Sequence, residues 1–296
     1  MKKWISAFRL RTLPLAASSV IAGSAMSYHD GVFEGKIFAL ALFTTILLQI
    51  LSNLANDFGD YTSGVDNDNR TGPKRAMQSG AISRTQMIRA LVITGILALF
   101  SGILLLWISF GSRHDFFPML ILFLIGLLAI GAAIKYTVGK KPYGYIGLGD
   151  LSVFVFFGLI GVGGTYYLYA ADISDNIILP ATTIGLFSAA VLNLNNLRDH
   201  MNDKASGKNT LVVRMGFAKG KIYQAMLISG GAVCAIVLCL GHAGGQLRWL
   251  SLLPVLLQII LLKKVFSTQE PAALDSELKK VAMLTFLYSI LIWMTF

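Results

Sequence analysis

ALVITGILALFSGILLLWISF, residues 90–110, contains no charged side chain. One helix of this length can cross a bilayer, which takes roughly 20 apolar residues. Because the hydrocarbon offers the backbone no hydrogen-bond partner, we expect an all-α membrane protein with nine transmembrane helices. The other eight uncharged stretches are approximately 13–28, 37–54, 116–134, 151–171, 177–194, 222–240, 249–262 and 281–296.

The composition excludes several classes of protein. The chain has 296 residues, of which 55% are hydrophobic and 14% are charged, and its mean hydropathy is +0.67. Soluble domains carry roughly 25% charged residues. A disordered, collagenous, disulfide-rich or ordinary cytosolic protein is therefore excluded, and residues 1–296 are predicted to form a single transmembrane domain.

The net charge of +10 follows the predicted topology. With nine helices, every Lys and Arg except Lys36, Arg113 and Arg248 falls on one face of the membrane. The positive-inside rule places that face, with the N-terminus, in the cytoplasm and the C-terminus outside. Basic residues there also attract anionic lipids, so we expect the bilayer rather than a nucleic acid as partner.

Two cytoplasmic connections, predicted as loops over 55–89 and 195–221, are much longer than the outer ones. Long ordered loops are frequent sites of function. Each begins with asparagines, continues with acidic residues at helical spacing and ends with glycine and basic residues. The repeated pattern indicates that the two loops act together.

The acidic residues of both loops are spaced to share a helix face. If the second span continues by one turn, Asn53, either Asn56 or Asp57, and Asp60 lie on one face. In the second loop, Asp199 and Asp203 are separated by four residues and also face the same way.

Like-charged carboxylates at this spacing repel each other, so a compensating cation is expected. Mg²⁺ fits, because it takes carboxylate and amide oxygens together with substrate phosphates. The basic residues beside the acids suit a diphosphate. The alternative is that these are solvated loop charges with asparagine caps. The candidate diphosphate-binding residues are Arg70, Lys74, Arg75, Lys204, Lys208 and Arg214.

The order of these residues resembles a known family. Asn56-x-x-x-Asp60 with a following acid, and later Asn196-x-x-Asp199-x-x-x-Asp203, resemble the two Asp-rich motifs of the UbiA superfamily of intramembrane prenyltransferases. The resemblance covers essentially the whole chain. It implies nine transmembrane helices in one bundle in the bacterial inner membrane, with both motifs on the cytoplasmic side.

Longer stretches resemble one branch of that superfamily, which acts on 1,4-dihydroxy-2-naphthoate in menaquinone synthesis. These are residues 11–14 (RTLP), 56–60 (NDFGD), 72–80 (GPKRAMQSG), 140–150 (KKPYGYIGLGD) and 195–199 (NNLRD). One position departs from the superfamily spacing, which would place an acid at 64. This chain has Gly64 and then Asp66, as the naphthoate branch does.

The resemblance implies an activity and its cofactor, Mg²⁺. A polyprenyl group is transferred from polyprenyl diphosphate to 1,4-dihydroxy-2-naphthoate, with loss of CO₂ and diphosphate, to give demethylmenaquinol. Asp60 and Asp199 are the implied catalytic residues, and Tyr136, in the segment described next, is a further catalytic candidate. The implied metal ligands are Asn56, Asp60, Asp66, Asn196, Asp199 and Asp203.

A third cytoplasmic segment, residues 135–145, adds aromatic and basic side chains. Tyr136 and Tyr143 are candidates to shield an allylic cation by cation–π contact. Lys140 or Lys141 is a candidate contact for the acceptor carboxylate. Interfacial tyrosines and lysines are also common in membrane proteins that lack such a site. Arg11 is a further candidate contact for the acceptor, although it also serves the topology.

Other functions stay open. Another aromatic acceptor, such as 4-hydroxybenzoate, would be prenylated without decarboxylation. A secondary transporter would place acids near the bilayer midplane, whereas all nine predicted spans are uncharged. A CDP-alcohol phosphotransferase would gather its acids in one continuous motif, and a noncatalytic scaffold needs no paired acidic clusters. The sequence specifies neither the prenyl chain length nor the oligomeric state.

Overall fold

The computed structural model describes residues 2–66, 74–111, 115–241 and 245–296, and none of these forms a strand. Short 3₁₀ turns occur at Leu10–Thr12, Tyr143–Ile146, Asp175–Ile177, Gln246–Ser251 and Pro271–Ala273. The α-helices are α1 (Lys2–Phe8), α2 (Leu13–His29), α3 (Gly35–Thr62), α4 (Arg84–Phe110), α5 (Phe116–Lys135), α6 (Gly149–Val153), α7 (Thr165–Ala170), α8 (Ile178–Ala205), α9 (Leu211–Met215), α10 (Phe217–Gly241), α11 (Leu252–Ser267) and α12 (Leu274–Thr295).

The prediction of nine spans agrees with this helix pattern. Among the described residues, eight helices are long and apolar enough to cross a membrane. One of them is continuous from α6 to α7 through a π-helical segment, Phe154–Gly164. The ninth is α2, whose 17 residues extend about 25 Å at 1.5 Å per residue. The all-α membrane architecture is thus confirmed.

Two helices are longer than their apolar stretches. α3 continues to Thr62 and α8 continues to Ala205, so the first turns of both predicted loops are helical. The loop boundaries at 55 and 195 were therefore wrong. Polar side chains in these extensions are buried and bonded: the Asn202 amide, for example, donates to the Val65 carbonyl at 3.0 Å.

α8 is the central helix of the bundle. It packs against α10, α12 and the π-helical segment, and its Ile184, Phe187 and Leu194 side chains are fully buried. α2 packs against α12 and α3, and so connects the two sides of the bundle. α5 packs on α3 and α4, but none of its residues is buried. One side of α5, which includes Leu122, Phe123 and Ile130, lines a cavity.

The π-helical segment approaches α8 at backbone distance. A Cβ atom on Gly158 would lie 2.5 Å from the Ala181 carbonyl oxygen and 2.8 Å from the Gly185 Cα, so only glycine fits this contact. π-helical turns are rare and often accompany functional sites. Here the segment turns Phe156 and Ile160 toward the cavity.

The N-terminal segment is fixed across one end of the cavity. Asn53 donates to the Thr12 hydroxyl at 3.0 Å, and Gln49 donates to the same hydroxyl at 3.3 Å. Arg9 has φ 49°, a left-handed conformation that is costly for a residue other than glycine. This turn places both Arg9 and Arg11 on the cavity wall.

Candidate active site

Asp60, at the end of α3, is the centre of the first motif and is 1% exposed. Its Oδ2 lies 2.5 Å from Nη1 of Arg75, and its Oδ1 accepts from the Tyr145 hydroxyl at 2.6 Å. The same Arg75 nitrogen lies 3.3 Å from Asp66 and donates to the Asn56 carbonyl at 2.7 Å. Burial opposes charge on Arg75, but Asp60 and Asp66 outweigh it and raise the pKa of this guanidinium. Arg75 therefore bridges both acids as a cation.

Asn56, rather than Asp57, shares the cavity face of α3 with Asp60. Its Oδ1 accepts from the Thr137 hydroxyl at 3.2 Å, and the residue lines the cavity. Asp57 instead lines a smaller, neighbouring cavity of about 290 Å³, together with Lys74. The choice that the sequence left open at this position is settled in favour of Asn56.

The 3₁₀ turn between α5 and α6 joins the two motifs through Tyr145. Its hydroxyl binds Asp60, its carbonyl accepts from the Asn209 amide at 2.9 Å, and Lys208 Nζ lies 5.4 Å from its ring centre. Arg214 donates to the next carbonyl along the turn at 2.7 Å. Burial, with Asp60 adding to it, raises the pKa of Tyr145, so its hydroxyl stays a donor.

In the second motif, Asp199 is bound by the adjacent Arg198. Nε donates to Oδ1 at 2.9 Å and Nη2 donates to Oδ2 at 2.6 Å. The same guanidinium donates to Asn195 at 2.7 Å and to Asp275, on α12, at 2.6 Å. The second motif is thus tied to the last helix of the bundle.

Asp203 lies one turn further along α8 and is 2% exposed. Its Oδ1 lies 3.7 Å from Lys208 Nζ, while its buried Oδ2 has no hydrogen-bond partner among the described residues. The neighbouring Asn202 donates to the Val65 carbonyl at 3.0 Å. This bond holds the end of α8 against the segment that follows α3, so the two motifs lie side by side.

Tyr136 and Tyr143 pack edge to face, with ring centres 5.3 Å apart, and both line the cavity. The Tyr143 hydroxyl donates to the Ala132 carbonyl at 2.9 Å. Burial raises the pKa of both phenols, and nearby carboxylates add to the effect at Tyr136. Two neutral aromatic rings therefore stand beside the motifs, as cation–π stabilisation requires.

One cavity of about 430 Å³ connects these polar groups to the apolar interior. Its polar end is lined by Asn56, Asp60, Arg75, Asn196 and Lys208. Away from the motifs the wall is mostly apolar and is formed largely by α2, α3, α4, α5, α7, α8 and the π-helical segment. The apolar lining includes Leu48, Ala98, Leu99, Ile103, Leu105, Leu106, Leu122, Phe123, Ile125, Ile130, Phe156, Phe157, Ile160 and Leu168.

The polar end fits a hard divalent cation that binds together with phosphate. Within the described ranges, no three His, Cys, Asp or Glu side chains gather into one metal-binding group. Mg²⁺ usually takes one or two carboxylates, waters and substrate phosphates rather than an all-protein cage. Acids divided between two facing motifs, with the buried Oδ2 of Asp203 unbonded, match that requirement.

Comparison with known proteins agrees with this geometry. Residues 16–290 match the UbiA prenyltransferase family. The chain belongs to this family. It is 45% identical to a 1,4-dihydroxy-2-naphthoate octaprenyltransferase of Haemophilus influenzae, over 98% of this chain and 94% of that relative. It is 35% identical to a protein of the same description from Mycobacterium tuberculosis, over 80% of this chain and 78% of that relative.

Solved UbiA structures share the fold at low sequence identity. A UbiA homologue of Archaeoglobus fulgidus, bound to GPP and Mg²⁺, aligns with a TM-score of 0.66 at 14% identity, over 99% of this chain and 100% of that chain. The apo structure of a UbiA homologue from Aeropyrum pernix aligns with a TM-score of 0.65, also at 14% identity, over 99% and 96%. The TM-scores show that this chain has the UbiA fold. At 14% identity, the comparison with these two structures shows nothing beyond the fold.

The other candidate residues of this UbiA-family chain lie in different places. Arg11 lines the main cavity and lies 3.8 Å from Asp275, whereas Lys74 lines the smaller cavity. Arg70 lies outside the described residues. Three other predicted contacts, Lys140, Lys141 and Lys204, are exposed and are not part of the cavity wall.

Several polar residues at the UbiA site were not singled out from the sequence. Tyr145, Arg198, Asn195 and Arg9 all bond to motif residues or line the cavity. The signal for Tyr145 was present in the Tyr-rich segment 140–150, which was recognised as a family feature without a role for each tyrosine. Arg198 and Asn195 lie in the family stretch 195–199 in the same way, but helical spacing gave no reason to pair Arg198 with Asp199, since adjacent residues of a helix ordinarily point to different faces.

Removing only the Tyr145 hydroxyl tests its role. In Tyr145→Phe, we expect kcat/KM for polyprenyl diphosphate at limiting Mg²⁺ to fall about tenfold or more. The reason is that a hydrogen bond to a charged group contributes about 1.5–3 kcal/mol. Initial rates measured against diphosphate and Mg²⁺ concentration check this. Tyr61→Phe is the matched control, since Tyr61 is exposed on the same helix as Asp60. Equal kinetics in the two variants would contradict a role for the hydroxyl.

Proposed function

We propose that this chain transfers a polyprenyl group from polyprenyl diphosphate to 1,4-dihydroxy-2-naphthoate, with loss of CO₂ and diphosphate, to form demethylmenaquinol. The observation that carries the proposal is the cavity that joins Asn56 and Asp60 of the first motif and Asn196 of the second to a mostly apolar interior. Relatives described as naphthoate octaprenyltransferases, which this chain matches over nearly its full length, support the same acceptor.

The motif residues would hold Mg²⁺ and the diphosphate at the cytoplasmic end of the cavity. When bound, Mg²⁺ supplies positive charge that helps the diphosphate leave the allylic carbon. Arg75 and Lys208, already beside the motif carboxylates, would take up the remaining negative charge. The proposed metal ligands are Asn56, Asp60, Asp66, Asn196, Asp199 and Asp203.

Other side chains would protect the allylic cation and orient the acceptor. The rings of Tyr136 and Tyr143 face the cavity beside the motifs and would stabilise the cation. The apolar walls exclude water, which would otherwise capture it. Arg11, on the same wall, would bind the acceptor carboxylate, so that the electron-rich ring meets the cation.

The protein is an integral membrane protein of the bacterial inner membrane. We propose that residues 1–296 act as one domain, with the N-terminus in the cytoplasm and the C-terminus outside. The excess of Lys and Arg on the face that carries both motifs supports this orientation.

The acceptor is tested with membranes that contain the protein, labelled octaprenyl diphosphate, and naphthoate labelled in its carboxyl carbon. We expect prenylated product and labelled CO₂ in equal amounts, both lost when EDTA removes Mg²⁺. 4-Hydroxybenzoate is offered in parallel. Prenylation of the benzoate alone would overturn the naphthoate assignment, and no product with either acceptor would favour a transporter instead.

A further inference from the structure

Arg198 is a buried cation that no step described so far requires. It is 2% exposed, and its guanidinium binds both oxygens of Asp199 as well as Asn195 and Asp275. Residues adjacent in a helix ordinarily point to different faces. The bonds to Asn195 and Asp275 therefore hold the Arg198 side chain back against its neighbour.

Asp275 gives this guanidinium a second carboxylate. It lies in the first turn of α12 and also contacts Lys279 at 2.7 Å and Arg11 at 3.8 Å. Arg198 consequently lies between two acids, one in the second motif and one outside it. It can weaken its bonds to Asp199 and stay paired with Asp275.

A divalent cation at Asp199 would compete directly with Arg198. Both Asp199 oxygens accept guanidinium N–H groups, so a metal ion there would meet a positive charge within hydrogen-bond distance. Like charges at this separation repel, most strongly where water is excluded. A diphosphate adds negative charge beside both cations and removes that repulsion. Arg75 also lies between two acids, Asp60 and Asp66, but both belong to the first motif.

We propose that Arg198 is a positioning residue that acts through Asp199 and makes divalent-cation binding at the second motif depend on the diphosphate. This inference rests on the proposed function. Arg198 neutralises Asp199 until the metal arrives with the diphosphate, and Asp275 then retains the guanidinium. Because such coupling is reciprocal, the metal and the diphosphate each tighten the binding of the other.

The test measures metal binding without turnover. The full chain, purified in detergent, is titrated with Mn²⁺, and free Mn²⁺ is followed by its electron paramagnetic resonance signal. Titrations are run with and without farnesyl S-thiolodiphosphate, an allylic analogue that ionises very slowly, and the analogue without protein gives the blank. For the unmodified chain, we expect the Mn²⁺ affinity to be at least about tenfold higher with the analogue than without it.

Two variants should change the coupling between Mn²⁺ and the analogue in different ways. Arg198→Gln removes the competing charge, so Mn²⁺ binding without the analogue should tighten about tenfold. Asp275→Asn removes the second carboxylate, so Arg198 stays on Asp199 and Mn²⁺ binding with the analogue should weaken several-fold. Lys279→Gln is the matched control, because it removes a different and exposed partner of Asp275 and should change neither titration.

Each result supports or overturns the proposal. Equal Mn²⁺ affinity with and without the analogue in the unmodified chain would overturn it and leave prenyl transfer intact. A folded Arg198→Gln chain whose Mn²⁺ affinity depends on the analogue as strongly as that of the unmodified chain would also overturn the proposal. If Arg198→Gln does not fold, Asp275→Asn decides, and behaviour identical to Lys279→Gln rejects the proposal. No Mn²⁺ binding in either condition would remove the metal dependence of the proposed function, and this inference with it.

Discussion

An Asp60→Asn chain is expected to lose prenyl transfer by roughly 10³-fold, since a metal-binding carboxylate contributes several kcal/mol of charge stabilisation as the diphosphate leaves. Asp60 is 1% exposed and lies between Arg75 and Tyr145, so no solvent charge can replace it. The measurement is the initial rate of naphthoate prenylation in membranes with matched protein levels. Raising Mg²⁺ should recover little of the rate.

The control is Asp57→Asn, one turn earlier on the same helix. Asp57 is also buried, but it lines the smaller cavity, whose wall includes neither Asn56 nor Asp60. Both variants remove one negative charge from the end of α3, so a general electrostatic effect would slow them equally. We expect the Asp57 variant to keep most of its activity. If it loses as much as Asp60→Asn, the assignment of the catalytic face of α3 is wrong.

The architecture and part of the site were predictable because hydropathy and helical period are local properties. Uncharged stretches predicted the nine spans, and helical spacing placed Asn56 and Asp60 on one face. The same spacing included Asn53, which instead binds the N-terminal segment through Thr12 and the Phe8 carbonyl. The helical period predicts which side chains of one helix share a face. It does not predict which other segment of the chain packs against that face.

The rest of the site depends on contacts between distant segments. Arg198 pairs with Asp275, 77 positions away, and Tyr145 pairs with Asp60, 85 positions away. No periodicity within either segment carries that information. Exposed charges pose the opposite problem: Lys140 and Lys141 lie close in sequence to Tyr143, yet their side chains are exposed, away from the cavity. Their predicted contact with the acceptor therefore remains a prediction that the geometry does not favour.

Gly59→Ala tests whether the motif helix and the segment after α5 must touch at backbone distance. A Cβ atom at this position would lie 2.6 Å from both the carbonyl carbon and the carbonyl oxygen of Thr137. The methyl group has to push this segment away, and overpacking of this kind costs about 1–3 kcal/mol. The displacement also breaks the bonds from the Thr137 hydroxyl to the Ala55 carbonyl and the Asn56 side chain.

We therefore expect Gly59→Ala to lower both the thermal unfolding temperature in detergent and the rate of prenyl transfer, since Tyr136 moves with the displaced segment and Asn56 loses its bond to Thr137. Gly95→Ala is the matched control, because no atom lies within 4 Å of its added methyl group. Part of the clash is with the Thr137 backbone, so adding Thr137→Ala should not restore Gly59→Ala. Recovery in that double variant would mean that the side chain, rather than the backbone, sets the spacing between the first motif and the aromatic pair.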